Sequence, residues 1–374
     1  MKNNLPMTSR TIIRDTLARR ETTRIPMTDM CYWPETVKRW EQEGLPPGTD
    51  LYDHFGLDRI FLYYPDLSPR LAPVVIEEND ETAVVTDEWG RTVKKWKKQT
   101  ATPVNLGYGV RDVSAVKAYM SRYDALDNEM ADERQLEVYR KSVARGDFTA
   151  IDPVEPAWFI IEYLLGFEEG LPALITDPEE VSWAMRKLMN YSLKHIRWLI
   201  EVKGIRFDAL YFSADLCYKN GMLMSPKVYR ELVMPIHQEY KRFCDEHEMF
   251  FMLHCDGDVR EFIPLVIESG FVAIEPLEAR AGNDIRELKP LYGDRITLFG
   301  NINADVVANG TKEQIREEVV SKINLAKQGG GYMYHIDHSV PPTVSLENYS
   351  FLIKTIKEVM NIPAWSDLHG RLPK

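Results

Sequence analysis

The stretch FMLHCDGD, Phe251–Asp258, passes from apolar residues straight into an imidazole, a thiol and two carboxylates around one glycine. The run MFFML has the length and composition of a strand buried on both faces. Titratable groups are costly inside such a strand, so it ends where His254 begins. The same grammar recurs. ALYFSAD ends at Ser213 and Asp215, VAIEPLE at Glu275 and Glu278, TLFGNIN at Gly300, Asn301 and Asn303, and YMYHIDHS at His335, Asp337 and His338. Each strand is followed by a longer amphipathic stretch, for example SPKVYRELVMPIHQEYKRFCDEHE, REFIPLVIESG or SLENYSFLIKTIKEVMN. Ser225 with Pro226 opens the first of these as N-cap and first helical residue, and Gly270 closes the second.

Short strand then amphipathic helix, repeated from residue 206 onward, implies a parallel sheet covered by helices. A (β/α)8 barrel and an open doubly wound sheet both fit. No G-x-G-x-x-G follows a strand, so the dinucleotide-binding open sheet loses support. The expected fold is an α/β, (β/α)8 TIM barrel with an N-terminal decoration of helices and a β-hairpin. One domain is expected over residues 1–374, decorated over 1–150 and regular over 151–374. TSRTIIRDTLARRE reads as a first helix capped by Thr8 or Ser9. Residues 25–80 read as short helices and loops, with Pro46-Pro47-Gly48 as an ordered turn. TAVVTDEWGRTVKKW reads as a hairpin across Asp87–Gly90, and residues 112–146 as charged helix.

Of the 374 residues 44% are hydrophobic, ample for a core, and the formal net charge of −11 disfavours nucleic acid or an anionic membrane as partner. VKKWKK, Val93–Lys98, is the strongest local basic patch, and its plainer reading is a solvated edge strand. Cys31, Cys217, Cys244 and Cys255 are widely spaced with no C-x-x-C pair, which argues against a disulfide framework or a closed zinc site. The N-terminus has no apolar leader, and the longest apolar run, AWFIIEYLLGF, is short and holds Glu162. A reduced, cytoplasmic protein is expected.

In a barrel, chemistry gathers at the C-terminal ends of the strands, where all five polar endings fall. His254 and Asp256, two apart, face the same way on extended backbone, and Cys255 faces the helix layer. Gly257 permits a tight turn and close backbone approach to a ligand. His338 stands on HSVPP, a loop stiffened by two prolines. His254, Asp256 and His338 form a set able to hold a divalent metal with open positions. The same three could serve as proton donor and orienting groups without a metal. His195 and His237, on helices, read as surface or packing residues.

FMLHCDGDVREFIPLVIESGFVAIEPLE, LFGNINADVVANGTKEQIREEV and HIDHSVPPTVSLENYSFLIKTIKEV together resemble the uroporphyrinogen decarboxylase superfamily. The likeness covers about 150–365, and its most specific parts are Gly300–Ile302 and the Pro-x-x-x-x-Glu-Asn pattern at Pro342–Asn348. It implies a barrel with a deep cleft at the strand ends. The decarboxylases of the family carry Arg-Gln-Ala-Gly-Arg-Tyr near the N-terminus to bind tetrapyrrole carboxylates. Here the comparable region reads RRETTRIPMTDMCYWPETVKRW, without that motif. His338 falls where the decarboxylase motif has its histidine, Asp66 loosely near the catalytic aspartate and Ser213 near its serine. The coenzyme M methyltransferases bind zinc through His-x-Cys and a later Cys. Here Asp256 takes the first Cys position and His338 falls near the second.

Loss of both thiolates points, by that resemblance, to oxygen rather than thiol chemistry. The expected activity is methyl transfer from a small donor, such as a methoxylated aromatic, to a corrinoid on a partner protein, as in anaerobic O-demethylation. The resemblance gives His254, Asp256 and His338 the catalytic role, with zinc as their candidate metal. Glu275 would be a fourth ligand or an orienting base, and Ser213 and Asn301 would hydrogen-bond substrate. Tyr32 and Trp33, with Trp40, Tyr52 and Phe55, would line an apolar donor pocket. The corrinoid protein would dock over an open, partly apolar mouth, and the family admits a homodimer. A cofactor-free decarboxylase of uroporphyrinogen or a related acid is the alternative, marked by several arginines facing the cleft. A non-catalytic barrel that binds a corrinoid or tetrapyrrole is the third reading.

Overall fold

The computed structural model describes residues 7–20 and 22–361. Its strands in chain order are β1 (Ile60–Tyr63), β2 (Val74–Glu78), β3 (Thr82–Thr86), β4 (Thr92–Trp96), β5 (Val104–Gly107), β6 (Phe148–Ile151) and β7 (Ala209–Ser213). They continue with β8 (Cys217–Tyr218), β9 (Gly221–Met222), β10 (Phe250–His254), β11 (Ala273–Glu275), β12 (Thr297–Phe299) and β13 (Tyr332–Met333). A seven-stranded parallel sheet runs β1-β6-β7-β10-β11-β12-β13 and curls as the wall of a TIM-like barrel.

The eighth place is filled by extended chain rather than a regular strand. Met27 bridges Tyr334 and Tyr32 bridges Val340, both parallel, and the Asp58 N–H donates to Met27 O at 2.6 Å. The irregularity has a local cause. Pro26 has no N–H for a ladder. The Asp29 side chain stands in for backbone, taking the Ile336 N–H at 2.7 Å and the hydroxyls of Tyr334 and Tyr349 at 2.8 and 2.5 Å.

The inward faces of the barrel strands meet as Phe148, Ala150, Ala209, Tyr211, Met252, Ala273, Phe299 and Met333. The first helix, Ser9–Leu17, adds Ile12, Ile13 and Leu17 to that core. Thr8 caps this helix, as its sequence predicts: the Thr11 N–H donates to its hydroxyl at 3.2 Å. Outward residues such as Phe212, Phe251, Leu253, Cys255 and Ile274 join the helix layer. Ser225 caps its helix by accepting the Val228 N–H, and Gly270, at φ +94°, closes the helix Ile263–Glu268.

Two strands escape the sequence reading. β1 lies where short helices and loops were expected and β6 just beyond the expected helix 112–146, each four residues long and too short for a periodic signal. The expected hairpin exists as β3 and β4, with Thr82 opposite Trp96 and Thr86 opposite Thr92. It belongs to a four-stranded antiparallel sheet, β2-β3-β4-β5. The basic run Val93–Lys98 is therefore not an edge strand, because VNLG pairs along its other side and Val93 is buried. His195 and His237 are both packed inside. The His195 Nδ1 lies 2.6 Å from Asn128 O, and His237 lies between Glu155 and Tyr229 at 2.8 and 2.9 Å. No helix of the described residues is long and apolar enough to cross a membrane.

Candidate active site

Parallel register sets the height of each side chain. His254 is paired with Ser213 on one side and Glu275 on the other, so all three reach the C-terminal rim at one level. They continue the inward face of Tyr211, Met252 and Ala273, two residues below. The Glu275 carboxylate lies 2.5 Å from His254 Nδ1 and accepts the Tyr211 hydroxyl at 2.7 Å. Burial alone would raise the pKa of Glu275, yet the charge and hydrogen bond of His254 outweigh it and hold the group at about 2. Burial would likewise lower His254, and Glu275 overrides it, raising the imidazole to about 10. The two form an ion pair, buried at Glu275 and half-buried at His254, whose Nε2 end faces the mouth.

Around that Nε2 stand Asp215 Oδ1 at 3.6 Å and Asp256 Oδ1 at 3.9 Å. The Asp256 N–H donates to Asp215 Oδ1 at 2.9 Å, which ties the two loops together. Burial, and then the neighbouring Asp215, push Asp256 up to about 6 against the opposing pull of His254. Asp256 Oδ1 is buried with no hydrogen-bond partner. An orphaned buried acceptor needs a partner. Asp215, His254 and Asp256 each offer a ligand atom, all within 4.8 Å of one another. One imidazole and two carboxylates, with open positions, suit zinc or another divalent first-row ion. Glu275 on Nδ1 is the partner that orients a metal-binding histidine.

Beside this cluster Asp152 follows β6. Ser213 donates to it twice, from Oγ at 2.6 Å and from N at 3.2 Å. Burial nevertheless pushes Asp152 up to about 7. Asp152 lines a cavity of about 620 Å³ whose walls include Tyr64, Asp66, Arg70, Trp89 and Tyr163. Arg70 is the one arginine among the described residues lining it, and it is engaged by Asp66 at 3.2 Å and Asp127 O at 2.6 Å. The mouth is therefore aromatic and acidic.

Residues 136–359, more than half of the chain, match the sequence profile of uroporphyrinogen decarboxylase. The chain belongs to the uroporphyrinogen decarboxylase family. It is 27% identical over 117 residues to the uroporphyrinogen decarboxylase of Pseudoalteromonas translucida, covering 28% of this chain and 33% of that one. With the enzyme of Hydrogenovibrio crunogenus it shares 24% over 143 residues, covering 37% of this chain and 39% of that one. These matches span between a third and two fifths of the relatives' length. A methyltransferase from Methanosarcina mazei has the same fold, with TM-score 0.63 at 15% identity, over 94% of this chain and 99% of that one.

Within this family member the expected site residues are distributed unevenly. His254, Asp256, Glu275 and Ser213 share the mouth, together with Asp215. His338 is exposed on its loop, where its Nδ1 accepts the Ser339 N–H at 2.9 Å. It stands outside the ligand cluster. Asn301 does not face the mouth. Its φ of +78° turns the side chain away, and its amide is spent on Ile285 N, Leu277 O and Asn283 O at 3.0, 2.7 and 2.8 Å. The Tyr32 hydroxyl lies 2.7 Å from that of Tyr349, and its ring meets Trp40 and Tyr52 edge-on. Trp33 is half-buried, just before the helix Pro34–Gln42, while Trp40 and Phe55 are core. His335 is buried, with Nε2 accepting the Met30 N–H at 3.1 Å and lying 3.8 Å from Glu275. Asp337 accepts the N–H groups of Ala279 and Ala304 at 3.0 and 2.8 Å. Cys255 is buried in the helix layer. At Gly257 the close approach is to protein, since a Cβ there would lie 2.7 Å from the Tyr218 backbone. Asp152 and Tyr211 were missed. FTAID obeys the strand-then-acid grammar but is too short to be noticed.

Proposed function

We propose that this chain is a methyltransferase that removes a methyl group from a small methoxylated aromatic donor and passes it to a corrinoid on a partner protein. What carries the reading is the mouth: four carboxylates, Asp152, Asp215, Asp256 and Glu275, surround one imidazole, and the lone arginine of the adjoining cavity is already paired. A tetrapyrrole with many carboxylates needs fixed cations, and an acidic mouth repels it. An aromatic ether fits walls made by Tyr64, Trp89 and Tyr163.

Breaking an aryl–O–CH3 bond sends the methyl carbon to the corrinoid's nucleophilic cobalt and leaves the electron pair on oxygen. That oxygen needs a proton or a Lewis acid. Asp152, held near neutrality by burial, is tuned to deliver the proton, and Ser213 fixes its carboxyl. Asp215, His254 and Asp256 would hold a zinc ion, which supplies Lewis-acid stabilisation of the leaving oxygen when bound. Glu275 keeps the Nδ1 proton of His254, so that Nε2 is the atom presented. Without a cation, the charged His254 takes over that stabilisation.

The test is methyl transfer from a panel of methoxyarenes to free cob(I)alamin, followed spectroscopically, beside uroporphyrinogen decarboxylation. Transfer with no decarboxylation is expected. Decarboxylation without transfer would replace this reading with the family's other chemistry, and failure of both would leave a binding barrel.

A further inference from the structure

At the opposite end of the barrel lies a second cavity, of about 580 Å³. It is bounded by the end of the first helix, the loop before β13, and residues 22–25. Arg19, Arg24 and Lys327 line it, and none of its lining residues among the described ones is acidic. That is unusual for a chain with 57 Asp and Glu against 46 Lys and Arg. Arg24 is paired with Asp58 at 2.6 Å. Arg19 and Lys327 have no carboxylate partner among the described residues. Each gives one donor to a carbonyl, Arg19 to Arg295 O at 2.9 Å and Lys327 to Val359 O at 2.8 Å. A guanidinium has five donors and an ammonium three, so both keep donors unspent.

The backbone adds to this. Gly329 and Gly330 line the same cavity with φ of +70° and +72°. Neither N–H donates to an acceptor among the described residues. A Cβ at Gly329 would meet nothing within 4 Å, so crowding does not explain the glycine; its backbone conformation does. Successive free N–H groups in a turn form an anion-binding concavity. Thr22 adds a hydroxyl to the wall, while that of Thr23 donates to Met7 Sδ at 3.6 Å.

We infer that this cavity is a second binding site, separate from the catalytic mouth, for a phosphate group, free or carried on a small metabolite. The Arg19 guanidinium offers a fork for two phosphate oxygens, Lys327 a point charge, and the glycine loop backbone donors. The site does not depend on which reaction the mouth performs.

Isothermal titration of the metal-stripped protein with inorganic phosphate and with glycerol 3-phosphate, at low and constant ionic strength, tests it. Saturable binding is expected, weakened about 10-fold or more by Arg19→Gln combined with Lys327→Gln. Thr23→Glu, at an exposed rim position, brings a negative charge without touching the core and should weaken it similarly. Lys95→Gln with Lys98→Gln on the basic hairpin, and Asp215→Asn at the mouth, should leave it unchanged. Tighter binding of one ligand tells whether the phosphate comes free or as an ester, and either supports the site. No saturable binding up to about 10 mM, or equal loss in the hairpin or mouth variants, would overturn it.

Discussion

Replacing Glu275 by glutamine tests the ion pair on which the mouth is built. The substitution keeps the shape and an acceptor for Tyr211 but removes the charge that holds His254 at about 10. Without it, burial takes over and the imidazole returns toward its ordinary value of about 6.5 or below. A change of about 3.5 units at roughly 1.4 kcal/mol each is about 5 kcal/mol, at the upper end of the ~3–5 kcal/mol lost when one partner of a buried pair is removed. Spread over the unfolding entropy of a chain this long, that is about 6 °C in melting temperature. The pH dependence has a definite sign. Glu275 is depressed to about 2, so its share of stability is present above its unfolded value and lost as pH falls toward 2. His254 is raised to about 10, so its share is present below its unfolded value and lost as pH rises through 10. Both are complete between about pH 4.5 and 6.5. Thermal unfolding of metal-stripped wild type and Glu275→Gln should differ most near pH 6 and converge by about pH 10.5. A gap as wide at pH 10.5 as at pH 6 would refute the pair.

Asp256→Asn and Asp215→Asn should each weaken divalent-metal binding by at least about 10-fold, read by elemental analysis after dialysis against a limiting metal; unchanged stoichiometry in both would remove the metal site. Asp152→Asn should lower kcat for methyl transfer by about 10²–10⁴-fold and abolish the pH–rate limb near neutrality, while donor KM changes little. Asn301→Ala loses three buried hydrogen bonds and should cost about 3 kcal/mol of stability with donor KM unchanged. A rise in KM without loss of stability would return Asn301 to the substrate.

Much of this was legible in the chain. The alternation at Met252, Leu253 and His254 fixes which way the imidazole points, because side chains on a strand alternate faces whatever surrounds them. Cys255 in the helix layer and Asp256 at the mouth follow from the same parity. Asn301 breaks it, since a positive φ at Gly300 and Asn301 reverses the direction of the side chain, and one residue's backbone twist is not written in alternation. Asp152 was hidden for another reason. Its strand is four residues long and separated from β1 by the inserted sheet, so its neighbours in sequence do not reveal its neighbours in space.

The chain by itself settled the layer type, the polarity of each strand and the face that His254, Asp256 and Glu275 share. Those are local matters, decided by period, by caps and by the cost of burying charge. Which groups touch was settled only on folding. Glu275 took the orienting place on His254, and Asp215 rather than His338 joined the ligand cluster. Parallel register and the curl of the sheet set those distances, and both depend on segments far apart along the chain.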